Sequence, residues 1–557
     1  MRIRSGLALR FLRAREGNVA MLFALSMPVL MMVGLGAVDV NRVYTVRSHL
    51  QDALDAATLA AARSNFTDNQ RINEAGMAAL MANLRDMRQI QRNENGDPAV
   101  VGSFALNNQG IVVGTATVRA NTLIANIVLP PYGKVMDDQI PVGSRSEVFR
   151  SNNRIEVAMV LDNTGSMAGA KLTNTKTAAK NLIDRLAAAD ARSVEVDAVK
   201  ISLVPFSMTV RPVSTMAYAD GVNNAKRPAW LSNATNHAGS DMFSTGVGRF
   251  TLFNQMRADW YGCVESRPYP YDVTDEGSDP TRQATMFTPY LNPDEPDADD
   301  YRNDQAWQNY FGWSGNNYLD DGVAGNTRNN GGFSNSTQRA AMWKTRRIRV
   351  EKYNKVLNGH HEDFGPNRGC ALEPVQRLSR NFNGLKQAVD RMVATGNTNV
   401  PMGLMWGWHT LSPNMPFRDG RTYGSERLQK IIILMTDGEN VNSESSNPDN
   451  SDYSGVGLIW QGRLSKPNPN GYTVGLNSSG YDRRVAMDNR LAELCGNIRQ
   501  RNIIVYSVGV QVDNRTQELL RNCATQPENY FNVTSAGDIG AAFDRIAGAI
   551  ENLRIAK

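Results

Sequence analysis

The sequence is poor in cysteine and histidine and has no excess of charge of one sign. Its 557 residues include five histidines and four cysteines, and no two cysteines form a Cys-x-x-Cys pair. That spacing argues against a thiolate metal site. The 60 basic residues nearly balance the 55 acidic ones, so nothing indicates a broad nucleic-acid surface, and we expect no nucleic-acid partner.

Only one apolar run reaches membrane length. Residues 19–38, VAMLFALSMPVLMMVGLGAV, carry no charge, and five arginines stand against Glu16 before them. The run is long enough to cross a hydrocarbon core, and the positive-inside rule places the N-terminus in the cytoplasm and everything after Asp39 outside. It exceeds the usual apolar region of a signal peptide and lacks a clear cleavage site. We therefore predict a cytoplasmic basic segment at 1–18 and a retained transmembrane helix at 19–40.

This topology bears on the four cysteines. Outside the cytoplasm they are expected to form disulfides, and four cysteines allow three connectivities. The sequence alone does not choose among them. The simplest nesting is Cys263 with Cys370 and Cys495 with Cys523.

Residues 41–150 change from helical to strand-like periodicity. Apolar residues recur three or four positions apart after the membrane run, without Gly or Pro, which predicts one continuous helix from about Val19 to about Ser64. From Val100 onward, two alternating runs are joined by Asn-Asn-Gln-Gly, a hairpin signal. We expect a long helix followed by a small antiparallel sheet.

Residues 151–557 alternate apolar strands with helices. Runs such as IEVAMVLD, KIIILMTDG and IIVYSVGV are typical of buried parallel strands, and helical segments separate them. This alternation predicts a doubly wound α/β domain. Its core would comprise 151–210 and 376–557. Segments 211–375 and 442–482 lack periodicity and are interpreted as insertions, the larger with its own loop-rich packing.

Polar residues follow two of the predicted strands. Asp162, Thr164 and Ser166 stand on the turn VLDNTGS, and Asp437 follows the strand in LMTDGEN. Thr398 lies in a Gly- and Asn-rich loop just before a helix. Ligands of doubly wound sheets bind outside the carboxyl ends of the strands, so these five side chains are expected to converge. Such an all-oxygen set suits a hard divalent cation, Mg²⁺ best.

Other chemistries fit this turn less well. Ser166 lacks the Gly-x-Ser-x-Gly setting of a nucleophile elbow, and none of the five histidines lies near these motifs. Asn163 interrupts an aspartic-protease Asp-Thr-Gly, and a phosphate-binding Gly-Lys-Ser/Thr is absent. The alternative without a ligand is a structural role, in which Asp162 and Ser166 only cap the next helix.

The motifs Asp162-x-Thr164-x-Ser166, Thr398 and Asp437 in TDGE resemble the metal-ion-dependent adhesion site of von Willebrand factor type A domains. The family's usual first hydroxyl is Ser, and Thr164 keeps that hydroxyl. The resemblance implies a Rossmann-like fold that binds Mg²⁺, or Mn²⁺ or Ca²⁺ in its place. It also implies that one coordination position of the ion is left for an acidic residue of a partner protein. The function would then be metal-dependent protein binding and not catalysis.

The N-terminal sequence REGNVAMLFALSMPVLMMVGLGAVDVNRVYTVRSHLQDALDAATLAAA resembles the TadE/TadG-like N-terminus of tight-adherence (Flp pilus) assembly proteins. Its combination with a C-terminal von Willebrand A domain is similar to TadG-like members, as are WYGCVESRP and NRGC in the insertion. Pilin-like members that are cut by a prepilin peptidase carry Glu five residues after a Gly. Here Leu22 follows Gly17 at that distance, so we expect no cleavage and a permanent anchor.

Together these features predict a single-pass inner-membrane protein of a Gram-negative bacterium with a periplasmic C-terminal domain. It would assist tight-adherence pilus assembly or anchoring by binding a pilus or pseudopilin component that supplies an acidic residue to the metal. The alternative is a surface-exposed, metal-dependent adhesin for host or matrix ligands. A hydrolase that uses a metal-bound water is a third class. Because no general base is placed for it, we expect the protein not to be an enzyme.

Overall fold

The structure is a computed structural model of the chain, and it describes residues 18–555 with internal gaps. Residues 1–17, nearly all of the predicted basic segment, lie outside the described part. The gaps fall at 65, 67, 108–109, 123–127, 130–132, 135–138, 150–152, 194, 196, 224, 234–241, 244–246, 296–315, 320–348, 446, 448 and 468–470. The chain divides into two compact units, which are described separately. One is residues 1–152 with 191–194 and 554–557, and the other is residues 153–190 with 195–553.

The first unit begins with a helix of 46 residues, α1 (Asn18–Arg63), which confirms the continuous helix expected from the sequence. Its N-terminal part is apolar yet exposed, with Leu22 and Val33 each 67% exposed. The helix is long and apolar enough to cross a membrane. In its C-terminal part the predicted apolar stripe is buried, including Leu50 and Leu54. The helix is therefore exposed along its N-terminal apolar run and buried along the apolar stripe of its C-terminal part.

A second helix and a three-stranded sheet complete this unit. Helix α2 (Asn69–Leu84), which the periodicity of the sequence did not reveal, begins after Asp68, whose side chain caps it. The sheet is antiparallel in the order β1-β2-β5, and the predicted hairpin is its first pair. The strands are β1 (Val100–Leu106), β2 (Ile111–Asn121), β3 (Val128–Leu129), β4 (Gly133–Lys134) and β5 (Gln139–Phe149), with β3 and β4 pairing apart.

The second unit is built on a six-stranded sheet in the order β11-β10-β9-β6-β7-β8. All neighbours are parallel except β8, which runs antiparallel to β7 at one edge. The chain steps outward from β6 to β8 and returns to β9 beside β6, so the direction of winding switches between β6 and β9. The strands are β6 (Arg154–Asp162), β7 (Val199–Phe206), β8 (Gln376–Ser379), β9 (Leu428–Thr436), β10 (Ile504–Val510) and β11 (Tyr530–Val533).

Helices cover both faces of this sheet, which confirms the doubly wound α/β prediction. Alternate residues of β6 separate into two apolar clusters, with Val157 and Met159 in one and Ala158 and Val160 in the other. The first cluster includes side chains from α3 (Ala170–Ala191), α6 (Phe382–Arg391) and α10 (Ile539–Ile555). The second includes side chains from α7 (Val400–Leu411), α8 (Gly480–Gln500) and α9 (Asn514–Cys523). The two remaining helices, α4 (Tyr218–Val222) and α5 (Arg249–Met256), belong to the insertion.

The described part of the 211–375 insertion does not form a core of its own, contrary to the expectation of separate packing. Its Phe253, Trp260 and Tyr290 join the same apolar cluster as Val160 of the sheet. Large aromatic side chains can bury more area against an existing sheet face than within a short loop segment. The structure contains two disulfides, Cys263–Cys370 and Cys495–Cys523, the pairs of the simplest nesting.

Helix α7 approaches the sheet unusually closely because two glycines face it. A Cβ added to Gly407 would lie 2.3 Å from Val160 Cγ2, and one added to Gly403 would lie 2.4 Å from the Phe206 ring. Glycines four residues apart lie on one side of a helix. The missing side chains let the helix, and the loop that precedes it, lie directly against β6 and β7.

Candidate metal centre

The first loop of the candidate site begins at Asp162, the last residue of β6, whose side chain is buried. Asp162 Oδ1 accepts a hydrogen bond from the Thr164 amide at 2.8 Å, and Oδ2 accepts one from Thr436 Oγ1 at 2.6 Å. Burial raises the pKa of Asp162 to about 6, against the effect of the hydrogen bonds from Thr164 and Thr436. The turn thus holds a desolvated carboxylate, which is costly unless a cation offsets it.

Two hydroxyls connect this loop to the segment that follows β9, the neighbouring strand in the sheet. Thr164 Oγ1 and Ser166 Oγ lie 3.0 Å apart, and Ser166 Oγ donates to Asp437 Oδ1 at 2.6 Å. A short 3₁₀ turn, Gly165–Met167, directs the Ser166 side chain toward β9. Because β6 and β9 are paired, Asp162 and Asp437 lie at the point where the sheet changes its direction of winding, where ligands of such sheets bind.

The Thr398 loop is fastened to the first loop by its backbone. The Gly165 amide donates to Gly396 O at 3.0 Å, and the Thr395 amide donates to Asn163 O at 2.8 Å. Asn163 Nδ2 also donates to Val393 O. These bonds fix the loop before α7 against the end of β6, so the two segments are held as one rigid surface.

Thr398 itself reaches the other side of the site. Its carbonyl accepts from the Val441 amide at 2.9 Å, and its side chain is buried. A methyl group added to Gly438 would lie 3.9 Å from both Thr398 Oγ1 and Ser166 Oγ. Hydrogen bonds thus link Asp162, Thr164, Ser166 and Asp437, and Gly438 lies beside the hydroxyls of both Ser166 and Thr398.

Two residues of this site were not anticipated from the sequence. Thr436, the last residue of β9, donates to Asp162 and so links the two carboxylate-bearing loops. Lys171, in the first turn of α3, places its ammonium 2.6 Å from Asp437 Oδ2. The one signal in the sequence that could have revealed Lys171 is its position nine residues after Asp162, at the start of the helix that follows the turn.

The donor set fits a hard divalent cation by its chemistry. Two carboxylates and three hydroxyls supply oxygen ligands alone, as Mg²⁺ and similar ions prefer. Within the described ranges, no cluster of three or more His, Cys, Asp or Glu is present, so any ion here depends on the hydroxyls.

Nucleophilic chemistry has less support in this geometry. No histidine in the described part of the chain hydrogen-bonds to Asp162, Ser166 or Asp437. Ser166 donates to the carboxylate of Asp437, which is also paired with Lys171. The arrangement can hold a cation and leaves the activation of Ser166 unsupported.

Comparison with known families bears on the N-terminal unit. Residues 17–64 match the Tad family model, which describes Flp pilus-assembly TadE/G-like proteins. The N-terminal segment of this chain is TadE/G-like. The matched residues are nearly those of α1, so the match covers that helix, while the α/β unit lies outside the match. No curated protein matches the chain.

Among solved structures, similar chains include proteins of pili. The von Willebrand factor domain of the type V pili tip protein Mfa5 from Porphyromonas gingivalis is 10% identical, with 73% of this chain and 97% of that one covered and a TM-score of 0.32. The pilus adhesin RrgA from Streptococcus pneumoniae is 12% identical, with 83% and 50% covered and a TM-score of 0.31. At scores this low the fold rests on the strand order described above.

Proposed function

We propose that this TadE/G-like chain is a membrane-anchored, metal-dependent protein-binding component of Flp-type pilus assembly or anchoring. The observation that carries the proposal is the hydrogen-bonded set of Asp162, Thr164, Ser166 and Asp437 at the switch point of the sheet, with Thr398 as the fifth proposed ligand. Mg²⁺ suits this donor set, with Mn²⁺ or Ca²⁺ as alternatives. The TadE/G-like segment supports the role in pilus assembly.

The ion would act as a bridge between proteins. Five protein oxygens leave one position of an octahedral cation open, so an acidic side chain of a partner would complete its coordination. A pilus or pseudopilin component is the proposed partner. Binding would then depend on the ion, and no covalent step is required of Ser166.

The location follows from the anchor and the disulfides. Helix α1 would cross the inner membrane once, with the N-terminus in the cytoplasm and the α/β unit in the periplasm. Two disulfides support an oxidising compartment for that unit. Protease added to intact cells tests this location, because a periplasmic domain is protected and a surface-exposed adhesin is cut.

The binding role is tested by crosslinking in cells and recovery of the full-length protein with its partners. Asp162→Ala or EDTA should remove the same partners that the wild type retains in Mg²⁺. The matched control is Asp390→Ala, which removes an exposed carboxylate of α6 whose partner, Lys180, lies on another helix. Recovery of identical partners with EDTA and with Asp162→Ala contradicts the proposal.

A further inference from the structure

We propose that Lys171 is a built-in competitor of the metal at Asp437, so that the ion alone binds weakly and the ion and an acidic ligand bind cooperatively. This inference rests on the proposed function, because it concerns the same site. It adds a residue outside the Asp-x-Thr-x-Ser motif that would decide when the site becomes loaded.

Both oxygens of Asp437 are already engaged. Lys171 Nζ lies 2.6 Å from Oδ2, while Ser166 Oγ donates to Oδ1 at 2.6 Å. The side chain of Asp437 is 0% exposed and that of Lys171 is 22% exposed, so solvent screens this ion pair only partly. A cation that uses Asp437 must therefore share the carboxylate with the ammonium or displace it.

The position of Lys171 is not one that a helix would favour by itself. Lys171 is the second residue of α3, where the helix dipole presents partial positive charge. A cation there is unfavourable unless a carboxylate offsets it, and Asp437 supplies that carboxylate. The neighbouring carboxylate Glu439 pairs with Arg484 and is not engaged by Lys171.

The charge balance gives the functional consequence. With both carboxylates ionised, Asp162, Asp437 and Lys171 sum to −1, and a divalent ion brings the loaded site to +1. Without the lysine the same sums are −2 and 0. Lys171 thus lowers the attraction for the ion alone and leaves a positive site that attracts a carboxylate. The ion and an acidic ligand would each strengthen binding of the other.

The test is calorimetric titration of Mn²⁺ into the full-length protein, with and without saturating acetate as the carboxylate probe. Lys171→Met keeps the aliphatic stem and should bind Mn²⁺ about tenfold more tightly or better without acetate, because a unit charge near the ion is removed. The increase in Mn²⁺ affinity that acetate causes should be smaller in this variant than in the wild type. Lys171→Arg keeps the charge and should resemble the wild type.

The matched control is Lys180→Met, which removes a lysine of the same helix that pairs with Asp390 at 2.6 Å. It should leave Mn²⁺ affinity unchanged, and circular dichroism verifies the fold of each variant. If the wild type binds Mn²⁺ and Lys171→Met binds it with equal or lower affinity, the competitor role is overturned while the metal site stands. Absence of Mn²⁺ binding in every variant overturns the metal site and this inference together. Binding of Mn²⁺ by Lys171→Met without acetate, where the wild type binds Mn²⁺ only together with acetate, supports the inference in its strongest form.

Discussion

Ser166 Oγ lies 2.6 Å from Asp437 Oδ1, although 271 positions of sequence separate the two residues. The hydroxyl sits on the turn after β6 and the carboxylate follows β9, and these strands are neighbours in the sheet. This hydrogen bond, with the one from Thr436 to Asp162, joins the two segments that carry the carboxylates of the candidate site.

The first prediction concerns this hydroxyl. Ser166→Ala removes both an expected ligand and the donor to Asp437, and should weaken Mg²⁺ binding about tenfold, the effect of losing roughly 1.4 kcal/mol. Ser166→Thr keeps a hydroxyl and should lose less. Titration calorimetry measures both. Equal affinity in Ser166→Ala and wild type would remove Ser166 from the ligand set.

The second prediction concerns the close approach of α7. Alanine is normally the better helix former by about 1 kcal/mol, yet Gly407→Ala should destabilise the protein by about 1–3 kcal/mol, because its Cβ would overlap Val160. Gly496→Ala on α8 is the matched control, since no heavy atom lies within 4 Å of its added Cβ. It should be neutral or stabilising. Urea unfolding measures both, and equal effects of the two would contradict the packing described.

The third prediction concerns the disulfides. Cys263–Cys370 spans 107 residues and Cys495–Cys523 spans 28. In the chain-entropy model their removal costs about 5 and about 4 kcal/mol of unfolding free energy, the longer loop costing more. Paired Cys→Ser variants measured by urea unfolding test this. A protein whose stability is unchanged by reductant would show that the bonds are absent.

The fourth prediction concerns pH and the buried His409, which lies in α7 between Phe287 and Trp406. Burial holds the pKa of His409 well below its usual value, and the nearby Arg267 guanidinium lowers that pKa further. The unfolded chain takes up a proton below about pH 6.5 while the folded one does not, so stability from this group is present above pH 6.5 and is lost on acidification.

His409→Gln removes that group and should reduce the fall in unfolding free energy between pH 7 and 5.5 by about 1.4 kcal/mol per unit below 6.5. The comparison of variant with wild type cancels other titrating groups, including Asp162 and Asp272, whose raised pKa values act in the opposite direction. Denaturation curves at both pH values provide the measurement. Identical pH dependence in the two proteins would contradict a neutral His409.

Strong local periodicity made much of the fold predictable. The continuous α1 and the β1–β2 hairpin follow from the spacing of their apolar residues, and the buried strands β6, β9 and β10 follow from short apolar runs that alternate with helical segments. The five candidate ligands were predictable for a related reason. The carboxyl ends of parallel strands lie at one edge of the sheet, so the sequence places Asp162 and Asp437 at the same edge, and the pairing of β6 with β9 then brings them together.

What the sequence did not reveal depends on tertiary contacts. The edge strands β8 and β11 have four residues each, too few for a periodic signal. The insertion was expected to pack by itself, but Trp260 and Tyr290 complete an apolar face of the sheet that no local pattern specifies. Lys171 escaped notice because a lysine early in a helix usually faces solvent. Its role depends on Asp437, which only the folded chain brings within reach.

The central claim is that the site binds a divalent ion through Asp162 and Asp437. Its most direct test is calorimetric titration of Mg²⁺ into the full-length protein and into Asp162→Ala and Asp437→Asn variants. We predict saturable binding by the wild type and none by either variant, with circular dichroism spectra unchanged. Absence of Mg²⁺, Mn²⁺ and Ca²⁺ binding by the wild type both with and without saturating acetate, or equal binding by the folded variants, would contradict the claim.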